Sequence, residues 1–196
     1  SGAIYRRDNA AKSRLLAGRA ELRTQLGLAD VFHEAALRAQ LYLPQMEKIF
    51  KANGLPLELT RIPFVESMFN IKAYSKVGAA GIWQLMPAAA RPHIMVSRHK
   101  DERKSPLRAT FAAAQILKAN YAGLKSWPLA ITAYNHGTNG IKRGVTQLGS
   151  SNLADLITSY RSPSFGFASQ NFYAEFLAAE SSYGKWQAKQ LATASR

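Results

Sequence analysis

Cysteine is absent from this chain of 196 residues. Disulfide bonds, catalysis by a thiolate and zinc sites built from cysteine are therefore excluded. The four histidines offer no alternative, because none of them has the close spacing along the sequence that metal ligands usually show. His93 and His99, the nearest pair, are six residues apart and so do not share a helical face. The sequence predicts neither a metal site nor a cofactor.

Long hydrophobic runs are also absent. No segment comes near the roughly 18 consecutive apolar residues that a membrane-spanning helix requires, so no such helix is predicted. The N-terminus shows no charged segment followed by an apolar run, which is the pattern of a signal peptide. The opening Ser1-Gly2 is consistent with a tag remnant, so a targeting segment could have been removed. The missing pattern therefore does not indicate a cytoplasmic protein.

Acidic residues are scarce: there are 12 aspartates and glutamates against 26 lysines and arginines, and the formal net charge is +14. A positive surface favours polyanionic partners such as nucleic acid, anionic lipid or the bacterial cell wall. Domains that bind nucleic acid usually gather their basic residues on one helix or stripe. Here the basic residues are dispersed over residues 1–54, 55–140 and 141–196. We therefore do not expect a nucleic-acid partner.

The spacing of apolar residues predicts helices almost throughout, and hence a mainly α fold. A first helix is predicted within residues 9–26, followed by a glycine as its C-terminal cap. Asp30 can cap a second helix that reaches about Leu41, and Pro44 is expected to force a break or a kink. A further short helix should end at Asn53-Gly54.

The next predicted helix carries Glu66, and Pro56 suits its first turn. Pro63 lies inside that helix and predicts a kink, unless the helix begins only after it. Residues 70–81 lack a helical period and contain turn-forming glycines, so they are predicted as a loop with a small β element. Further helices are expected over residues 105–124, 127–137, 138–148, 152–159 and 169–183.

Among the four acidic residues between positions 55 and 140, Glu66 stands out. Glu58 suits the first turn of its helix, where an acid complements the helix dipole. Asp101 and Glu102 lie in the polar segment 99–104, which is most simply a solvated loop. Glu66 has apolar neighbours in the sequence, namely Ile62, Phe64, Val65 and Phe69. We expect them to desolvate its carboxyl, which favours the protonated form. An acid that keeps its proton near neutral pH can act as a general acid. The competing interpretation is a glutamate on the exposed face of an amphipathic helix.

Three short motifs extend the argument from Glu66. Glu66-Ser67, Gly81-Ile-Trp-Gln84-Leu-Met86-Pro87 and Ala133-Tyr134-Asn135 resemble the three core motifs of the soluble lytic transglycosylase (SLT) family, in the lysozyme-like superfamily. Those motifs are usually written E-S, G-L-M-Q and A-Y-N. The surrounding sequence over residues 55–67 and 79–84 is most similar to the membrane-bound D branch of the family. The resemblance covers roughly residues 45–180, with the motifs in the family's order and spacing.

The resemblance implies a lysozyme-like helical domain, and the pattern along the sequence divides the chain into three parts. Residues 1–54 are expected to form an N-terminal helical extension, and residues 55–185 the catalytic SLT domain. Residues 186–196 are expected to be a tail that frays. The implied activity is cleavage of the β-1,4 bond between N-acetylmuramic acid and N-acetylglucosamine in peptidoglycan, which leaves 1,6-anhydro ends.

By the same resemblance, Glu66 is the sole catalytic carboxyl. It acts first as an acid toward the glycosidic oxygen and then as a base toward the muramic acid 6-hydroxyl. The N-acetyl group of the sugar stabilises the developing positive charge, so a second protein carboxylate is not required. The shortage of acids near Glu66 in the sequence fits that scheme.

The resemblance also implies the substrate-binding residues. Gln84 offers a donor and an acceptor to sugar hydroxyls and N-acetyl groups, and Tyr134 is expected to donate a hydrogen bond at the glutamate. For two of the residues, Ser67 and Ser75, ordinary capping or turn chemistry is the alternative, and His136 is interpreted as an incidental surface residue. The full set is Ser67, Ser75, Gln84, Met86, Tyr134 and Asn135.

Two positions depart from the family pattern. Trp83 stands where the motif most often has methionine, and it could be a core residue, a pocket wall or a platform for a sugar. Many relatives carry an Asn-Tyr pair near the C-terminus, whereas this chain has Asn171-Phe172-Tyr173. Either that tyrosine contact is lost, or Tyr173 supplies it after a shift of one residue.

Several alternatives remain open from the sequence. A muramidase of similar fold, such as the goose-type lysozymes, would use water in place of the 6-hydroxyl, and the preferred glycan could be deacetylated. A catalytically inactive wall-binding module and a nucleic-acid-binding helical domain are the other classes. The expected partners are peptidoglycan glycan strands and anionic cell-wall polymers. We expect a monomer located in the bacterial cell envelope, in the periplasm, or secreted.

Overall fold

The computed structural model describes residues 28–194, and the predicted helix at 9–26 with its glycine cap lies outside them. Within the described residues the fold is mainly α, as predicted. The helices, with the 3-10 helices written η, are α1 Leu28–Ala52, η1 Leu57–Arg61, α2 Ile62–Glu66, α3 Pro87–Ala90, η2 Glu102–Lys104, α4 Pro106–Leu124, α5 Trp127–His136, α6 Thr138–Leu148, α7 Leu153–Ser159 and α8 Phe167–Ala194.

The chain divides into two compact units. The described residues up to Ile116, together with those from Phe176 onward, form one of them, here called the Glu66 unit. Residues Leu117–Glu175 belong to the other, here called the Asn135 unit. The predicted division at residues 54 and 185 stays a prediction. In the described part of the chain no helix is both long enough and apolar enough to cross a membrane.

The predicted break at Pro44 is wrong, because α1 runs without interruption from Leu28 to Ala52, whereas the alternative of a kink stays a prediction. A proline inside a helix costs about 3 kcal/mol through the lost hydrogen bond and the clash of its ring. The neighbouring side chains Leu43, Met46 and Phe50 are almost fully buried. Each contributes about 1.5–3 kcal/mol through burial, so packing outweighs the cost of the proline. The helix ends where predicted, at a turn in which Gly54 has a φ of +70°.

The segment that delivers Glu66 is two short helices rather than one. Pro56 precedes the 3-10 helix η1. The short α-helix α2, five residues long, follows it directly. Pro63 lies in the first turn of α2, where its missing N–H costs no helical hydrogen bond. Pro63 therefore does not lie in the interior of one long helix, because a new helix begins at Ile62.

The aromatic core of the Glu66 unit lies directly behind α2. The ring of Phe64 packs against those of Phe32, Phe69 and Tyr183, with centroids 4.7–5.2 Å away. Trp83 is fully buried, stacks on Phe50 and donates a hydrogen bond from Nε1 to Thr110 Oγ1 at 2.8 Å. Because aromatic side chains bury large areas, this cluster anchors the short helix that ends at Glu66.

The small β element predicted near residues 70–81 is present as isolated antiparallel bridges. Ala80 pairs with both Tyr74 and Leu85, and a further bridge joins Val96 to Asp101. The helix predicted from Ser105-Pro106 to about Leu124 is confirmed as α4. Its buried face includes Ala113, Ala114 and Leu117, whereas Phe111 is 38% exposed.

The last helix is longer than predicted. It was expected over residues 169–183 with a fraying tail from 186, whereas α8 continues to Ala194. Trp186 accounts for part of the extension, since its Nε1 donates to Nδ1 of His33 at 2.9 Å and its ring stacks on Tyr183. These contacts join α8 to α1 within the Glu66 unit.

Helices α5, α6 and α7 of the Asn135 unit follow the predicted boundaries. Asn120 joins two of them, because its Nδ2 donates to the Ala130 carbonyl and its Oδ1 accepts from the Thr138 hydroxyl. Gly144 lies against the ring of Tyr160, where a Cβ would meet the ring at 3.0 Å. The absent side chain thus allows α6 and the end of α7 to approach closely.

Candidate functional site

Glu66 is the last residue of α2, at the edge of the aromatic core. Ile62, Pro63 and Phe64 before it are buried, whereas Glu66 itself is partly exposed. Ser67 leaves the helical conformation with a φ of −150°, and its hydroxyl donates a hydrogen bond to the Ile82 carbonyl at 2.8 Å. The first two sequence motifs are therefore joined in the structure, and Ser67 is the residue that links them.

The turn that follows Glu66-Ser67 is strained. Met68 and Phe69 have φ values of +50° and +56°, in the left-handed region that side chains other than glycine rarely adopt. Such residues cost about 1–3 kcal/mol each and persist only where surrounding contacts hold them. Phe69 is fully buried, and Arg38 of α1 donates from Nη2 and Nε to the Met68 carbonyl at 3.0 and 3.3 Å.

Sequence reasoning did not identify Arg38. It lies 30 residues before Met68, on a helix assigned to the extension, and nothing in its local pattern indicates a contact with this turn.

Gln84 also has a positive φ, +45°, within the second motif. Its side-chain Nε2 donates to the carbonyls of Gly81 at 2.9 Å and Ala73 at 3.3 Å. The Nε2 group of Gln84 therefore binds the backbone of the loop that carries it. Oε1 is the end of the amide that can accept a hydrogen bond from a ligand. Met86, two residues further on, is 42% exposed at the N-terminus of α3.

Ser75 takes part in a tight turn. Its backbone N–H donates to the Ala79 carbonyl, and its Oγ accepts from the Ala79 N–H, both at 2.9 Å. This is the turn chemistry that stood as the alternative for Ser75. A contact with substrate stays a prediction.

Arg103 is a buried cation beneath the second motif. The residue is 3% exposed, and its Nη1 donates to the carbonyls of Gly78 and Leu85 at 2.7 and 2.8 Å. Its Nε and Nη2 donate to both carboxylate oxygens of Asp101 at 2.9 and 2.7 Å. The hydrogen bonds from Arg103 hold the pKa of Asp101 below its usual range, and Asp101 in turn raises the pKa of Arg103.

The interpretation of residues 99–104 as a solvated loop is thus wrong for Arg103 and Asp101. A polar run gave no signal of burial, because only the tertiary structure places the Gly78 and Leu85 carbonyls around the guanidinium. A charge in such a place requires this full set of partners.

The third motif lies at the end of α5, in the Asn135 unit. Residues Pro128–Ala133 are buried, Tyr134 is partly exposed and Asn135 is exposed. The Ser169 hydroxyl donates to Asn135 Oδ1 at 3.0 Å and lies 3.2 Å from His136 Nδ1.

His136 is not an incidental surface residue, since its Nε2 is buried and its ring packs against Phe165.

The two positions that departed from the family pattern have different outcomes. Trp83 is a core residue of the Glu66 unit and is no platform for a sugar in this structure. Phe172 and Tyr173 are both buried, at 3% and 4% exposed.

Among residues 28–194, no cluster of three or more histidine, aspartate or glutamate side chains could hold a metal ion.

The fold is mainly helical, and Glu66 ends a short helix whose first residues are buried. Comparison with known families identifies the class of protein to which these features belong. The model of the transglycosylase SLT domain matches residues 46–161, which is more than half of the chain. The chain belongs to the transglycosylase SLT domain family.

Two curated relatives are similar to parts of this chain. The membrane-bound lytic murein transglycosylase D of Escherichia coli K12 is 32% identical over 115 residues, which are 58% of this chain and 25% of that protein. A putative tributyltin chloride resistance protein of Alteromonas sp. strain M-1 is 33% identical over 123 residues, 62% of this chain and 59% of that protein. The chain thus spans about a quarter of the first relative and somewhat more than half of the second.

Proposed function

We propose that this chain is the catalytic domain of a peptidoglycan lytic transglycosylase. It cleaves the β-1,4 bond between N-acetylmuramic acid and N-acetylglucosamine and leaves 1,6-anhydro ends. Membership of the SLT family and the name of the E. coli relative support this function. The observation that carries it is the placement of Glu66 at the end of a buried helical turn, with Ser67 bonded to the second motif.

In the proposed reaction Glu66 gives its proton to the glycosidic oxygen as the bond from that oxygen to the muramic acid C1 breaks. The acetamido oxygen of the same sugar stabilises the positive charge at C1. Glu66, now a carboxylate, takes the proton of the 6-hydroxyl as that oxygen bonds to C1. The carboxyl ends the cycle protonated, and no water is consumed.

The six predicted binding residues are proposed contacts with the glycan. Met86 and Asn135 are the exposed members of the set, and Gln84 offers Oε1 as an acceptor. The hydroxyls of Ser67 and Ser75 also have backbone partners, so each stabilises a local turn in addition to its proposed contact with the glycan.

We further propose that the protein acts as a monomer in the bacterial envelope. The substrate lies there, and a relative is described as membrane-bound.

Analysis of digested cell-wall sacculi by mass spectrometry tests this function. The wild-type chain should release muropeptides with anhydro ends, and Glu66→Gln should remove essentially all release while the far-ultraviolet circular dichroism spectrum stays unchanged. Glu58→Gln is the matched control and should retain activity. Products with reducing ends would identify the muramidase alternative, and a substantially active Glu66→Gln variant would contradict the assignment of the catalytic acid.

A further inference from the structure

Three polar side chains of the Asn135 unit form a chain of hydrogen bonds. Ser169, near the start of α8, is 7% exposed. Its Oγ lies 3.0 Å from Asn135 Oδ1 and 3.2 Å from His136 Nδ1. Asn135 is exposed at one end of this row of hydrogen bonds. The His136 ring lies at the other end, with Nε2 buried.

The directions of these bonds follow from the chemistry of the groups. A serine hydroxyl has one proton to donate, and an amide carbonyl oxygen can only accept. The Ser169 proton therefore goes to Asn135 Oδ1. The Ser169 oxygen must then accept from His136, so Nδ1 of the imidazole carries a proton.

The other ring nitrogen establishes the charge of His136. Nε2 is buried and has no hydrogen-bond partner among the described residues. A proton there would be a buried donor without an acceptor, which is unfavourable. Gly140 faces this nitrogen, and a Cβ on that residue would lie 2.4 Å from it. The absent side chain at Gly140 leaves room for the ring. The partners of the two ring nitrogens favour the neutral Nδ1–H tautomer.

Burial and the nearest positive charge act in the same direction, toward a neutral ring. Burial, the largest effect, and then the positive charge of Arg143 lower the pKa of His136. The Ser164 backbone carbonyl opposes them.

We propose that Ser169 and His136 are positioning residues that fix the Asn135 amide with its Nδ2 N–H groups directed at the ligand. A free amide can turn over and present either end, whereas an amide whose Oδ1 is held by Ser169 presents only a donor. The glycan atom that Asn135 recognises is therefore an acceptor oxygen, a carbonyl or a hydroxyl, and not an ammonium group. The assignment of a glycan as the ligand rests on the proposed function.

The tautomer can be tested without any activity. 15N NMR of the labelled wild-type chain near pH 7 should show His136 as the neutral Nδ1–H form. Ser169→Ala should change that signal, and the control Ser151→Ala, at an exposed serine of the same unit, should not. An Nε2–H tautomer or an imidazolium in the wild type would overturn the proposal.

Kinetics on soluble glycan strands test the consequence. Ser169→Ala should raise KM about fivefold to tenfold with a smaller change in kcat, since one oriented hydrogen bond is worth about 1–1.5 kcal/mol. Ser169→Thr, which keeps the hydroxyl, should restore KM to within about twofold of the wild type. His136→Asn, which places a donor near the Nδ1 position, should be closer to wild type than His136→Ala.

Equal loss in Ser169→Ala and Ser169→Thr would contradict positioning by the hydroxyl. If the wild type cleaves no glycan while the NMR result holds, the proposed function fails and the arrangement of His136, Ser169 and Asn135 stands.

Discussion

Gly81 shows how a single missing side chain fits the second motif against the buried Arg103. It has a φ of +74°, and a Cβ added there would lie 2.0 Å from the backbone oxygen of Arg103. Gly54 has a similar φ, +70°, but open space around it. The two glycines therefore separate the cost of a left-handed backbone from the cost of a steric clash.

Gly81→Ala should lower the free energy of unfolding by about 3 kcal/mol or more, because strain of about 1–2 kcal/mol adds to an overpacking cost. Gly54→Ala should cost only the strain, about 1–2 kcal/mol. Urea denaturation followed by circular dichroism measures both. Equal losses in the two variants would show that the contact with Arg103 does not constrain Gly81.

Helix α1 contributes to the candidate site although most of it lies before residue 46, where the match to the SLT domain begins. It supplies Arg38 to the Met68 carbonyl, and Met68 begins the left-handed turn directly after Glu66-Ser67. Two hydrogen bonds from a guanidinium offset strain that the turn cannot relieve by itself.

Arg38→Met should therefore lower glycan cleavage about tenfold and the free energy of unfolding by about 1–3 kcal/mol, the cost of leaving a part-buried carbonyl without a donor. Arg38→Lys should recover part of both losses. Arg98→Met, at an exposed arginine outside this turn, is the matched control and should change neither. Cleavage is measured by muropeptide release. Full activity in Arg38→Met would contradict a role for α1 at the site.

The Glu102 carboxylate has three partners in the segment from Met95 to Arg108. Glu102 accepts from the Met95 N–H at 2.9 Å, and Lys100 and Arg108 make ion pairs with it at 2.9 and 3.2 Å. The hydrogen bond from Met95 is the largest cause that lowers the pKa of Glu102 from 4.5 to about 2.

A lowered pKa in the folded state means that the ionised form is stabilising. That contribution is fully present above the unfolded value of 4.5 and is lost as the pH falls toward about 2. The difference in melting temperature between the wild type and Glu102→Gln should thus be constant above about pH 5 and shrink below it. Thermal unfolding between pH 2 and 7 measures it, and a gap independent of pH would contradict the assignment.

The formal charge of +14 acts through the whole chain, since its basic residues are dispersed along it. An anionic cell wall should attract such a surface at long range. Salt weakens that attraction, because the screening length falls from about 8 Å at 0.15 M to about 3 Å at 1 M.

Binding of the Glu66→Gln variant to sacculi, measured by co-sedimentation, should therefore fall as sodium chloride rises from 0.05 to about 0.5 M. Cleavage by the wild type should fall in parallel if electrostatic attraction limits encounter. Sacculi stripped of anionic polymers are the control and should show a weaker dependence on salt. Binding that does not change up to about 1 M salt would show that the charge has no part in it.

Local sequence patterns determined the helix ends and the motifs. Prolines lie in the first turns of α4 and α5, glycines flank α6, and Asn152 caps α7. Sequence can indicate such boundaries because caps and first turns depend on residues that are neighbours in the chain. The three motifs indicated the family that the domain match shows.

Only the tertiary structure decided the features that depend on distant residues. The continuity of α1 through Pro44 follows from burial of its flanking side chains, and the extension of α8 follows from contacts of Trp186 with α1. The burial of Arg103 and the bond from Ser169 to Asn135 link residues 18 to 34 positions apart. Such contacts leave no periodic trace in the sequence, because the partners meet only after the chain has folded.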